Sequence, residues 1–180
     1  MRFDGTRPRT SHGTGRWRRE DFAAWGEGTT VEETALVFRP EHIRLGAGVY
    51  VGHGTVLKAY DGGDLEIGDG TWIGEHCYAN SAGGLRLGRA VGVGIGVRII
   101  TSAHDEAGRD VPILHAPLRR AAVEIGDGAD LGVSSTILPG VRIGQGVQVG
   151  AGSVVTEDLP DFAVAAGVPA RVLRFREDPS

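Results

Sequence analysis

An aliphatic residue recurs every six positions through most of this chain. Ile125, Leu131, Ile137, Ile143, Val149 and Val155 are spaced by six without exception, and Gly126, Gly132, Gly144 and Gly150 directly follow four of them. The period also runs through Val31, Val37, Ile43, then Leu45, Val51, Leu57, then Ile67, Ile73, Ala79, and finally Leu87, Val93, Ile99. Small offsets between these sets read as insertions at the corners of a solenoid, where extra residues bulge without disturbing a stacked interior. A six-residue unit is too short for a helical repeat and fits one strand plus a turn. Three units make one triangular coil, with the aliphatic residue pointing inward and glycine at the corners, where a Cβ would strain the chain. The alternation in IRLGAGVYVGHG and VRIGQGVQVGAG agrees with strands, because residues two apart face the same way. An antiparallel sandwich would place its turns roughly every eight to twelve residues, a spacing this chain does not have. The pattern predicts an all-β parallel β-helix, with no helical period before residue 160.

Three regions lack the repeat. Residues 1–25 hold six arginines before residue 20 and read as a flexible or loosely packed lead-in to a domain over 26–176. Between Ile99 and Ile125 the repeat breaks for longest, so AHDEAGRDVPILHAPLRRAA leaves the solenoid as an excursion over about 104–121. Long loops in compact domains are disproportionately functional. After Val155, prolines end the repeat and a short arginine-bearing segment closes the coil.

Composition narrows the function. Thirty glycines without a G-X-Y period, beside 41 % hydrophobic residues, exclude collagen and a disordered glycine-rich chain. A net charge of -4 leaves no global footprint for nucleic acid, and no run approaches the ~18 apolar residues of a membrane span. The first residues have no apolar core of a secretory signal, and Cys77 is the only cysteine. A cytoplasmic protein is the expectation.

The repeat, the excursion and the stretch IGQGVQVGAGSVVTEDLPDFAVAAGVPARVLR together resemble the hexapeptide-repeat acyltransferases, above all the galactoside, maltose and polysaccharide O-acetyltransferases. The resemblance covers roughly residues 30–176. It implies a left-handed β-helix, an exception to the usual right-handed crossover. It also implies a homotrimer with active sites between subunits, acetyl-CoA as acyl donor, and no metal.

Acyl transfer to a hydroxyl needs removal of the acceptor proton, and histidine titrates near the working pH. His104, in ITSAHDE at the start of the excursion, stands where the resembled enzymes carry their catalytic histidine, and is expected to be the general base. Asp105 and Glu106 are candidates to orient its ring, with neither assigned. His115 lies later in the excursion and is a candidate acceptor contact, or an ordinary loop residue. Asn80, in CYANSAG, matches the asparagine that contacts the acceptor sugar in the resembled enzymes, although asparagine also stacks structurally in β-helices. His53 and His76 read as surface residues, and Cys77 as a buried or corner thiol that nothing activates.

For the donor, the resemblance implies pantetheine against Gly150, Ala151 and Gly152, and phosphates near Thr156, Arg171 and Arg174. Small residues admit a thin arm, and arginine pairs bidentately with phosphate. Two positions depart from the pattern: Asp130 stands where many relatives have Trp, and Glu157 where they have a basic residue. Both disfavour an anionic nucleotide, so the donor sits differently, binds modestly, or is not free coenzyme A. The implied activity is O-acetylation of a sugar or polyol. Two rival readings are a non-catalytic trimeric scaffold and a γ-type carbonic anhydrase, whose close GH-x4-H pair is absent from the sequence.

Overall fold

Within Val123–Ile125 the two aliphatic residues are buried and Glu124 between them is exposed. That period of two is a strand with one wet and one dry face, and the same arrangement recurs around the whole solenoid. A computed structural model describes residues 10–177. It is a left-handed parallel β-helix of six full coils and part of a seventh. Face A stacks Ala24–Trp25, Ile43–Leu45, Leu65–Ile67, Leu85–Leu87, Val123–Ile125 and Arg142–Ile143. Face B stacks Thr30–Val31, Tyr50–Val51, Trp72–Ile73, Gly92–Val93, Asp130–Leu131 and Gln148–Val149, then Ala163–Gly167. Face C stacks Leu36–Phe38, Val56–Lys58, Tyr78–Asn80, Arg98–Ile99, Thr136–Ile137 and Val154–Val155. Three short 3-10 turns are the only helical pieces among the described residues.

Every hexad aliphatic named from the sequence is buried. In register on face C, Ile99 lies between Ala79 and Ile137, and Ile137 lies against Val155. The core is thus a set of columns running along the axis, each fully buried aliphatic stabilising the fold by roughly 1.5–3 kcal/mol. The corners explain the glycines. A Cβ on Gly126 would stand 2.5 Å from the backbone nitrogen of Gln145 on the next coil, and Gly128 two residues on has φ +66°. Close approach dictates the first glycine and a left-handed turn the second. His76 and Ser134 take that second position with φ of 55° and 59°, so the alternation tolerates a side chain there, at some strain. Polar side chains in the core are satisfied between coils: the Thr55 hydroxyl donates to the Gly74 carbonyl (2.7 Å) and accepts the Cys77 N–H (3.0 Å). The Ser135 hydroxyl is the exception among the described residues, buried with no partner.

The ends differ from expectation in one respect. Residues 1–9 of the expected flexible lead-in lie outside the described residues and residues 10–14 are exposed, but beyond them several side chains pack onto the first coil. Trp17, Phe22 and Trp25 form an aromatic cluster, with ring centroids 5.0–5.8 Å apart. The Trp17 indole donates to the Ala35 carbonyl at 3.0 Å, and the Val37 N–H bonds to Gly15. The first coil has an apolar open end, and three aromatic rings bury it better than solvent does. At the other end, Ala163–Gly167 and Ala170–Phe175 form an antiparallel hairpin that carries Arg171 and Arg174. The excursion begins earlier than the sequence suggests. Ser102–His104 pairs antiparallel with Leu118–Arg120, so a two-stranded stem projects from the corner after face C before the loop proper.

Candidate functional site

His104 ends the outgoing strand of that stem, opposite Leu118. Its Nδ1 lies 3.0 Å from the carbonyl oxygen of Ala116, an acceptor only, so Nδ1 carries the proton and donates. In the neutral ring, Nε2 is then the nitrogen that carries the lone pair. A backbone carbonyl, and not Asp105 or Glu106, orients the ring. Asp105 instead pairs with Arg119 across the stem at 3.4 Å, and its N–H bonds to the Pro117 carbonyl. His115 closes a one-turn 3-10 segment, Ile113–His115, and immediately precedes Ala116, so the same turn carries His115 and holds His104. Around it Val111, Ile113, Leu114 and Leu118 are 42–54 % exposed, an unusual amount of apolar surface on a short protrusion.

Asn80 is placed differently from an open acceptor contact. It is buried at the base of the excursion, and its amide nitrogen lies 3.4 Å and 3.3 Å from the hydroxyls of Tyr60 and Tyr78. Its side-chain oxygen accepts the Ala82 N–H (3.0 Å) and the Thr101 hydroxyl (3.3 Å). Thr101 begins the excursion, and the Ala121 N–H on the returning chain bonds to its carbonyl. Asn80 therefore braces the root of the stem. Cys77 is buried, its thiol lies 3.1 Å from the Gly94 carbonyl, and burial pushes its pKa up, which leaves it a poor nucleophile.

The residues assigned to the donor gather on the sixth coil and the hairpin. Gly150, Ala151 and Gly152 form the corner between faces B and C, and a Cβ on Gly152 would meet nothing within 4 Å. Gly150 faces Ala166 of the hairpin, and the Ser153 hydroxyl accepts the Gly167 N–H at 3.1 Å. Thr156, Arg171 and Arg174 are exposed. The guanidinium of Arg171 stands 3.6 Å from the Glu157 carboxylate, and that of Arg174 reaches the Phe175 carbonyl at 3.4 Å. One departure noted in the sequence thus meets the cation expected to bind phosphate. Among the described residues no group of three His, Cys, Asp or Glu side chains is placed to hold a metal.

A surface depression of about 480 Å³ lies elsewhere, along face A. Arg44, Glu66, Arg86, Glu124 and Arg142 follow one another there in register, an alternating ladder of charge. No residue singled out for chemistry lines it. A shallow charged trough suits solvent, so we attach no function to it.

Known proteins share the repeat and the fold. The family described as hexapeptide repeat of succinyl-transferase matches residues 122–157. A putative lipopolysaccharide biosynthesis O-acetyl transferase, WbbJ, of Escherichia coli is 31 % identical over 139 residues, covering 73 % of this chain and 71 % of that protein. The chain belongs to the hexapeptide-repeat acyltransferases. Among solved structures, a mutant of AntD, an N-acyltransferase from Bacillus cereus, shares the fold with a TM-score of 0.78 at 23 % identity, over 88 % of this chain and 87 % of that one. A mutant of perosamine N-acetyltransferase from Caulobacter crescentus, in complex with CoA and GDP-perosamine, has a TM-score of 0.61 at 32 % identity, over 83 % and 57 %. Other curated relatives are longer: the chain spans 49 % of one and 35 % of another. No helix among the described residues is long and apolar enough to cross a membrane.

The sequence pointed to His104 through its place after the fourth coil. What it missed is the Ala116 carbonyl, since a backbone acceptor leaves no trace in residue type.

Proposed function

We propose that the protein transfers an acetyl group from acetyl-CoA to a hydroxyl of a sugar or similar polyol, with His104 as general base, in a homotrimer whose sites lie between subunits. The observation that carries this reading is the His104 ring, fixed through Nδ1 by the Ala116 carbonyl so that Nε2 is the nitrogen that can act as base. As the acceptor oxygen attacks the thioester carbonyl, Nε2 takes its proton. The tetrahedral oxyanion then collapses, the C–S bond breaks, and the imidazolium returns the proton to the departing thiolate. His115, beside the carbonyl that holds the ring, is assigned to the acceptor side. Asn80 acts through the stem it braces.

Coenzyme A is assigned to the last coils, its pantetheine along Gly150, Ala151 and Gly152 and its phosphates toward Thr156, Arg171 and Arg174. The perosamine N-acetyltransferase with CoA bound supports that donor. Its second ligand, GDP-perosamine, and the lipopolysaccharide O-acetyl transferase support a sugar acceptor. The exposed apolar side chains of the excursion support a neighbouring subunit that covers them. The Glu157–Arg171 pair favours a second reading, a subunit that keeps the scaffold and binds the donor poorly.

The test is thiol release from acetyl-CoA over a panel of sugars, sugar nucleotides and polyols, with His104→Ala alongside. The expected result is turnover with at least one acceptor and a fall of about 10²–10⁴ in the variant. Equal turnover in both proteins removes His104 from the chemistry, and no release with any acceptor supports the scaffold.

A further inference from the structure

Face B carries an arrangement that the acyl-transfer reading does not use. Tyr50 and Trp72 stand in register on successive coils, with their rings stacked at a centroid separation of 5.9 Å and an interplanar angle of 10°. Trp72 is 43 % exposed, and its indole leans along its own coil over Gly74, where a Cβ would come within 3.1 Å of the ring. Tyr50 is itself held, its hydroxyl donating to Glu32 at 3.2 Å. One face of the indole is thus taken by a fixed ring.

The other face looks toward the fourth coil, where the outward positions beside it are Gly92 and Gly94. Neither glycine has a side chain to set against the indole, and the next residue, Ile95, has its backbone nitrogen 3.0 Å from where a Gly74 Cβ would be and is itself 46 % exposed. The next outward side chain in the column is Asp130, on the fifth coil, and it bends back over the gap: its Oδ1 lies 2.5 Å from where a Gly92 Cβ would be. That carboxylate has no hydrogen-bond or ion-pair partner among the described residues. Trp72 and Asp130 are two strands apart, roughly 9–10 Å at about 4.8 Å per strand. A ring stacked at about 3.5–4 Å from the indole lies at the level of Gly92, with its edge against the carboxylate.

We propose that Trp72, the opening at Gly92 and Gly94, and Asp130 form a binding subsite for a hexopyranose ring. The C–H face of a pyranose packs on an indole, and neighbouring equatorial hydroxyls match a carboxylate that only accepts. The acceptor-only carboxylate favours this ligand over a nucleotide base, which would stack equally well. Asp130 is the acidic group beside the indole, whereas Glu32 lies beyond Tyr50 and contacts His53 at 3.3 Å, and Arg176 borders the depression on the far side of Asp130. The subsite rests on the sugar-acceptor reading for its use. It gives Asp130, unfavourable for an anionic donor, a role toward the acceptor. Trp72 and the excursion that carries His104 lie on different sides of the coil.

The test follows the three indole N–H signals of the ¹⁵N-labelled full chain during titration with methyl hexopyranosides at millimolar concentrations and above. Trp72→Phe assigns the signal. The expected result is a saturable shift of the Trp72 signal alone, lost in Gly92→Val, which fills the opening and pushes the Asp130 carboxylate aside, and weakened about tenfold in Asp130→Asn. A shift of Trp72 with coenzyme A or a free nucleotide and none with the sugars overturns the proposal, as does a sugar response unchanged in Gly92→Val. Thiol release is measured on the same proteins. Turnover without a Trp72 response sinks the subsite alone, and a Trp72 response without turnover sinks the acyl-transfer reading alone.

Discussion

The coils and the excursion obey different rules although they are one continuous chain. In the coils each inward aliphatic sits on its counterpart in the next turn, and columns such as Ala79, Ile99, Ile137 and Val155 are almost wholly buried. In the excursion Val111, Ile113, Leu114 and Leu118 are about half exposed, and the structure rests on one antiparallel stem rooted at Thr101 and Ala121. Stability is thus concentrated where the residues have no chemistry, and the candidate base is held by a single carbonyl on a protrusion. A solenoid of nearest-neighbour contacts allows this, because an insertion at a corner leaves the columns above and below it intact.

Three measurements can break or sharpen that contrast. The largest effect is expected from Ile137→Ala, which leaves a cavity in the middle of a column and lowers unfolding free energy by about 2–5 kcal/mol. Leu114→Ser is its counterpart in the excursion, expected within about 0.5 kcal/mol in the isolated chain while loosening the proposed trimer. Denaturant unfolding with sedimentation separates the two outcomes, and equal losses at both positions would abolish the distinction. A smaller effect, about 1–3 kcal/mol, is expected from Gly126→Ala, where the new methyl group meets the Gln145 backbone. An unchanged midpoint would show that the coils can spread. The smallest concerns Asp127, whose carboxylate accepts the Arg89 N–H at 2.8 Å and pairs with its guanidinium at 3.0 Å. The Arg89 N–H, and then the guanidinium, hold its pKa below the usual carboxylate value. Such a group stabilises the fold above its unfolded pKa of about 3.9, and the contribution disappears as the pH falls through the lower folded value. Asp127→Asn is therefore expected to be slightly less stable than the wild type at pH 6 and to match it in strong acid. A gap that stays constant with pH would assign the effect to geometry and not to charge.

How far the residues themselves foretold this differs between regions. Every member of the hexad columns was legible, because burial repeats with the sequence period and each coil meets only its neighbours. The N-terminal cap was not. Trp17, Phe22 and Trp25 have no repeat, and only the open end of the first coil shows why they pack. At the candidate site, the position of His104 was legible from the break in the repeat. The state of its ring was not, since Ala116 lies twelve residues on and acts through its backbone.

Asn80 and Asp130 show the division from both sides. Asn80 carried a resemblance to an acceptor-binding asparagine, yet its amide is spent on Tyr60, Tyr78, Ala82 and Thr101. Asp130 counted against a nucleotide donor, and the structure sets its carboxylate over Gly92, the in-register neighbour of Trp72. By itself the sequence determined the coil, its core and the place where the chain leaves it, because these depend on local period and nearest-neighbour stacking. Tertiary structure alone decided which polar groups are already satisfied and which remain open, because hydrogen-bond partners come from strands one or more coils away.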